Sequence, residues 1–219
     1  MAANQHKLVE QLAEELARMS LKASTEQCQQ LSQFLALLAK WNKVYNLTAI
    51  RDTRQMVSEH LLDSLSLTPY VKGPSLLDVG TGGGLPGIPL AIMLPEIKFI
   101  LIDANAKKTR FVQQAVIELQ LKNVEVVCSR IEAYVPDGLP QQITSRAFAS
   151  LAEFAKAVRH LCSESTELLA MKGKSPTAEL DELAIGNAEV KRLEVPTIAA
   201  ERHLVRFVPR QPVGSVHAG

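Results

Sequence analysis

The stretch Leu76–Ala91 reads LLDVGTGGGLPGIPLA, and its reading decides the fold. A short apolar run, Leu76 to Val79, opens directly into Gly80, Gly82 and Gly84 at G-x-G-x-G spacing. An apolar segment carrying Pro86 and Pro89 follows. That order is strand, glycine loop, helix. Glycine admits positive φ and lets a ligand approach the backbone closely, and a loop feeding a helix N-terminus presents unpaired N–H groups.

Outward from this loop, the grammar on the C-terminal side alternates. Short apolar runs predict strands over 75–79, 97–103, 124–128, 142–148 and 166–172. Helical patterns fall between and after them at 86–94, 106–120, 150–162 and 176–185. Such alternation implies right-handed βαβ units and a parallel sheet with helices on both faces. The closing segments EVKRLEVP and RHLVRFVPR alternate at period two and predict an antiparallel pair, making the sheet mixed but mostly parallel. The expected fold is therefore α/β and Rossmann-like.

On the N-terminal side of Gly73-Pro74 the pattern is helical. Leu8, Leu12, Leu16 and Met19 form one amphipathic stripe, and Ser24 to Gln27 supply a capping signal before Leu31, Phe34, Leu35, Leu38 and Trp41. WNKVYNLTAIRD interrupts the period, and a third helix is expected over 53–67 with Met56, His60 and Asp63 at helical spacing. Two units follow: a helical extension, 1–72, packed on the core, and an α/β domain, 73–219.

The chain has 219 residues, 47% hydrophobic and 21% charged, which suits one α/β domain with an extension. Cys28, Cys128 and Cys162 are scattered, so neither a disulfide framework nor a zinc site is expected, and a reducing cytoplasm fits. MAANQHKLVEQLAEELARMS lacks the apolar centre of a secretory signal, and no run reaches the ~18 apolar residues that span a bilayer. Net charge is +1, so polyanion binding requires a local patch.

Several ligands suit a glycine loop so placed. G-x-G-x-x-G, the dinucleotide spacing, is met only if Gly87 is recruited, and a nicotinamide oxidoreductase would also need a catalytic Tyr-Lys or His, which is not evident. A phosphate-binding loop is excluded because no Gly-Lys-Ser/Thr follows. S-adenosylmethionine needs close backbone approach without a pyrophosphate cradle. Asp103 ends the second strand, 25 residues after Asp78, where a carboxylate can accept both ribose hydroxyls; the competing role is a helix N-cap. At the third strand end, Ile131 can pack on an adenine and the backbone near Ile131 and Glu132 can bond its edge.

The fourth strand end reads Thr144-Ser145-Arg146-Ala147-Phe148, without the Asn/Asp-Pro-Pro-aromatic loop of exocyclic-amine methylation. Cys162 sits on a helix, misplaced for a nucleophile, and no acidic residue ends strand four to act on a hydroxyl. An acceptor needing no deprotonation, such as guanine N7, is consistent with these absences, and alignment alone can contribute ~7–11 kcal/mol. No catalytic residue is assigned. Arg146 can bond a phosphate, a guanine edge or a carboxylate, or pair with a neighbouring helix. Lys172 ends strand five on the same rim; Lys107, Lys108, Arg110, Arg202, His203, Arg206 and Arg210 can extend a basic patch or form an ordinary solvated surface, and His60 is read as a packed helix residue.

WNKVYNLTAIRD, HLLDSLSL, LLDVGTGGGLPGIPLAI, SRAFASL, LLAMKGK and ERHLVRF, in that order, resemble the bacterial small-subunit ribosomal RNA methyltransferase G family, also called glucose-inhibited division protein B. The likeness runs from about Leu35 to Phe207. It implies a class I methyltransferase that moves methyl from S-adenosyl-L-methionine to N7 of one guanosine in the decoding-region loop of 16S rRNA. Its cofactor contacts fall on Gly80, Leu85, Ile131, Glu132 and Arg146. Asp103 takes the ribose position of the wider class, and Gly82 belongs to the same loop. Gly83 stands where family members often have Pro. Lys172, Arg202 and His203 are the expected RNA-facing residues. The expected partner is 16S rRNA in the small subunit or its assembly intermediate, with the enzyme a cytoplasmic monomer that uses no metal. A non-catalytic RNA-binding module is the alternative that intact Gly80, Asp103 and Arg146 argue against.

Overall fold

The computed structural model describes residues 2–176, 179–180 and 188–209. Two long helices come first, α1 (Ala2–Arg18) and α2 (Thr25–Tyr45). Ser24 caps α2 in a reciprocal box with Gln27, as the sequence signal predicts, and Asn46 closes it in the left-handed region at φ 49°. The single helix expected over 53–67 is broken into α3 (Thr53–Met56), a π-helical turn (Val57–Leu62) and α4 (Asp63–Leu65). Insertions of this kind concentrate at functional sites.

The alternating half supplies β1 (Ser75–Val79), α5 (Gly87–Met93), β2 (Lys98–Asp103), α6 (Ala106–Glu118), β3 (Val124–Cys128), β4 (Gln142–Ser145), α7 (Leu151–Val158), β5 (Glu167–Lys172), β6 (Glu189–Arg192) and β7 (His203–Phe207). The seven strands run in the order β3-β2-β1-β4-β5-β7-β6. The first five are parallel, and β7 runs antiparallel to both β5 and β6. Strand order reverses between β1 and β4, and ligands of open α/β sheets bind outside the carboxyl ends at such a reversal.

Strand alternation sends side chains to two apolar layers. Leu76, Phe99 and Leu101 join the layer built with α1, α2, α5 and α6, whereas Leu77, Val79, Ile100 and Ile102 join the layer under α7. The N-terminal helices thus share a continuous core with the sheet. Polar ties reinforce this: Gln27 donates to the carbonyls of Ile92 and Met93, and Gln30 to that of Leu119. No helix among the described residues is long and apolar enough to cross a membrane.

Two expected boundaries move, for visible reasons. β4 stops at Ser145 rather than 148, because the Ser145 hydroxyl donates to Val79 O and accepts from Ala147 N, turning the chain out of the sheet. The helix expected over 150–162 ends at Val158 and tightens into a 3₁₀ turn over Arg159–Leu161. The helix expected over 176–185 lies largely outside the described residues, as does Arg210.

Candidate functional site

The glycine loop is anchored from below. Asp78, wholly buried on β1, accepts through Oδ2 from the Thr81 hydroxyl at 2.7 Å and from Gly87 N at 3.0 Å. Its Oδ1 has no hydrogen-bond partner among the described residues. Burial pushes the Asp78 carboxyl up to about 6, against those two hydrogen bonds and the Arg146 charge, which favour the ionised form. Gly80 and Gly82 both take positive φ, 69° and 59°. A Cβ on Gly80 would lie 2.6 Å from the Ala147 methyl, so only glycine lets the two segments close. A Cβ on Gly82 would meet nothing nearer than Gly80 O at 3.9 Å and would stand in open space.

Two adjoining hollows meet at Gly80 and Ala147. The smaller, about 220 Å³, is lined by Asp103, Ile131, Glu132 and Phe148. Asp103 lies at its edge, with Oδ2 accepting from Gly82 N at 2.9 Å and Oδ1 from Asn105 N at 2.8 Å. The N-cap role weighed for Asp103 goes instead to Asn105, whose side chain accepts from Lys107 N and Lys108 N. Asp103 is thereby left facing the loop.

The larger cleft, about 570 Å³, lies between the loop, the N-terminal segment and the ends of β4, β5 and β7. Gly82, Leu85, Arg146, Lys172, Arg202 and His203 all line it. Its far wall carries Asp63, which is buried and bridges two arginines: Arg146 Nη1 reaches Oδ2 and Arg202 Nε reaches Oδ1, each at 2.9 Å. The ion-pair alternative for Arg146 is therefore realised while the residue still lines the cleft. His60 is buried beside Asp63 with both ring nitrogens engaged, Nε2 to the Thr48 hydroxyl at 2.8 Å and Nδ1 to Glu59 O at 3.1 Å. Burial, then the Arg146 charge, lower its pKa and favour the neutral ring, in which Nδ1 donates to the carbonyl and Nε2 accepts from Thr48.

Sequence reasoning missed three of these residues. Asp78 serves there only to mark the distance to Asp103, Thr81 is an unassigned position of the G-x-G-x-G motif, and Asp63 enters only for its helical spacing. The signal for Asp63 was present: a lone carboxylate among Leu61, Leu62 and Leu65 on an apolar helix must be paired if buried. One expectation is corrected. Arg206 does not extend a basic patch, because its guanidinium bonds Glu167 at 2.7 Å and Glu189 at 2.9 Å and lies over the Tyr70 ring. Lys172 is also tied, donating to Ala149 O and pairing with Glu179 at 3.0 Å.

A mixed sheet of this order, with its hollows at the β1/β4 reversal, defines a class I, Rossmann-like methyltransferase fold. The same fold is found in a SAM dependent methyltransferase from Aquifex aeolicus, with a TM-score of 0.54 at 20% identity over 79% of this chain and 98% of that one. It recurs in the plantazolicin methyltransferase BpumL in complex with SAH, with a TM-score of 0.55 at 13% identity over 81% and 96%. Residues 27–205 match the family model described as GidB, rRNA small subunit methyltransferase G, and the chain belongs to that family. The ribosomal RNA small subunit methyltransferase G of Chromobacterium violaceum is 51% identical over 201 residues, spanning 90% of this chain and 96% of that protein.

Proposed function

We propose that this chain transfers the methyl group of S-adenosyl-L-methionine to N7 of a guanosine in 16S ribosomal RNA, within the small subunit or its assembly intermediate. The observation that carries the reading is the family match over residues 27–205, which runs through every segment lining the two hollows.

The residues present fit the cofactor. A side chain at Gly82 would occupy space that the loop leaves open, and the orphaned Oδ1 of Asp78 adds negative charge beneath the same loop. In this reading Gly80, Gly82 and Leu85 bring the backbone against the cofactor. Asp103 accepts its ribose hydroxyls, while Ile131 and the backbone at Glu132 receive the adenine. Arg146, steadied by Asp63, meets the carboxylate end in the larger cleft. When bound, the cofactor supplies a methyl group on a positively charged sulfur.

The acceptor enters the outer part of the same cleft beside Lys172, Arg202 and His203. Guanine N7 carries an in-plane lone pair. It forms the new N–CH₃ bond as the S–CH₃ bond breaks, with no proton to remove. The chain's work is then alignment and exclusion of water rather than general-base catalysis. His60 agrees with this, since its nitrogens are already engaged and its ring is held neutral.

The test is a methyl-transfer assay with labelled S-adenosyl-L-methionine and small subunits from cells lacking the gene, followed by nucleoside analysis. Label in N7-methylguanosine at one 16S position is the expected result. Label in another nucleoside keeps the cofactor and overturns the acceptor; no label with rRNA in any assembly state overturns the function.

A further inference from the structure

An aromatic shelf closes α2, two residues before Leu47 enters the wall of the larger cleft. Tyr45, at the end of α2, is 40% exposed, and its ring centroid lies 5.2 Å from that of Trp41 at an interplanar angle of 30°. Trp41 packs in turn on Phe111 of α6, at 5.6 Å, and Phe111 on Phe34, at 6.4 Å. The file of rings runs from the core to the surface, so the outermost one is held in place before any ligand arrives. Val44 beside it is 70% exposed.

This shelf adjoins the site already described. Asn46 reverses the chain after Tyr45, and the next two residues, Leu47 and Thr48, line the cleft. Gly83 of the glycine loop abuts the same corner, since a Cβ there would lie 3.1 Å from Leu38 Cδ1 and 3.9 Å from Leu47 Cβ. On the other side Lys108 lines the cleft one turn before Phe111.

Charge singles out the partner. The whole chain balances 24 Lys and Arg against 23 Asp and Glu. Around the shelf the balance fails: residues 36–45 of α2 and 106–114 of α6 contain Lys40, Lys43, Lys107, Lys108 and Arg110 and no carboxylate. Among the described residues none of these five cations forms a salt bridge. A fixed, exposed aromatic face among unpaired cations is the combination that holds single-stranded nucleic acid, rings stacking on bases while cations follow the phosphates.

We infer that Tyr45, backed by Trp41, stacks on an unpaired nucleotide of the RNA close to the one undergoing methylation, with the α2 and α6 cations holding the flanking backbone. The inference rests on the rRNA reading above. It adds a second point of contact, which keeps the strand in register at the cleft without reading sequence.

Trp41 is the only tryptophan in the chain, so binding at the shelf has its own optical signal. Titration with a ten-nucleotide oligouridylate at low salt is expected to quench Trp41 fluorescence in the wild type and in Tyr45→Phe. Tyr45→Ala is expected to weaken that binding by about 5- to 150-fold, the range for losing one stacked base. With small subunits as substrate, Tyr45→Ala raises KM by at least about fivefold, with a smaller change in kcat and unchanged cofactor affinity, and Tyr45→Phe restores KM. The inference falls if Tyr45→Ala leaves oligonucleotide affinity and KM unchanged, if Tyr45→Phe is as impaired as Tyr45→Ala, or if polyglutamate binds as well as the RNA. If the wild type binds oligouridylate through Tyr45 yet methylates no rRNA, the RNA surface stands and the proposed activity fails.

Discussion

Asp78→Asn isolates the electrostatic cost built into the glycine loop. Burial raises the Asp78 carboxyl from its ordinary 3.8 to about 6, and the residue has no exposed surface. Because the folded-state value is the higher one, this group's stabilisation is complete below about 3.8 and is lost as pH rises through about 6. Between about pH 4.5 and 6 the folded protein holds a proton that the unfolded chain has released. At ~1.36 kcal/mol per pH unit, wild-type stability falls by ~2 kcal/mol from this residue alone. The asparagine amide oxygen can still accept from Thr81 and Gly87, so the anchoring persists while the titration disappears. Urea unfolding of both proteins at intervals from about pH 4.5 to 7.5 gives a difference in which other titrating groups cancel. That difference is expected to shift by ~2 kcal/mol in the variant's favour as pH rises, equivalent to ~4–8 °C in Tm. A difference that stays flat to within ~0.5 kcal/mol refutes the reasoning. Under the proposed function, bound S-adenosyl-L-methionine places positive charge near the loop, so saturating cofactor moves the same transition to lower pH.

Asp63→Asn removes the charge that two arginines share at 2.9 Å each. Both arginines keep some contact with water, so the expected loss is ~2–3 kcal/mol in urea unfolding, below the ~3–5 kcal/mol of a fully buried pair. Released Arg146 also lowers cofactor affinity at least about tenfold in a calorimetric titration; wild-type affinity in the variant would show that Asp63 orients nothing. Gly80→Ala and Gly82→Ala separate packing from binding. Both place a side chain at positive φ, a strain of ~1–2 kcal/mol. Gly80→Ala adds a methyl 2.6 Å from Ala147 and should lower stability further, whereas Gly82→Ala, with open space ahead of it, should mainly lower cofactor affinity. Equal stability losses in the two variants, by thermal unfolding, would refute that contrast.

What was legible in the sequence was local. β1, the glycine loop and Asp103 follow one another within a few tens of residues, and apolar runs of five or six residues bound the strands closely. Ser24 to Gln27 announced the start of α2 because a capping box is made entirely of neighbours. The larger cleft is different in kind. Asp63 meets Arg146 across 83 residues and Arg202 across 139, and no periodicity encodes such a pairing. The π turn before Asp63 and the exit of β4 at Ser145 have the same character. The exit depends on a serine side chain finding a carbonyl on the neighbouring strand 66 residues away, and it turns Ala147 against Gly80.

The division has a physical reason. The smaller hollow is made by the carboxyl ends of consecutive strands, so a strand reading already places Asp103 and Ile131 side by side. The larger cleft forms only when the N-terminal helices settle on the sheet, bringing Leu47, Thr48, His60 and Asp63 to face a loop they do not adjoin in sequence. The part of the site expected to hold the cofactor's nucleoside is therefore legible from motif order, whereas the part expected to hold its carboxylate end and admit the acceptor depends on how the helical extension docks. A substitution weakening that docking without touching either hollow, such as Gln27→Ala, removes two hydrogen bonds to the end of α5. It should impair subunit methylation more than cofactor binding, and equal impairment of both would mean that the two hollows are a single cooperative unit.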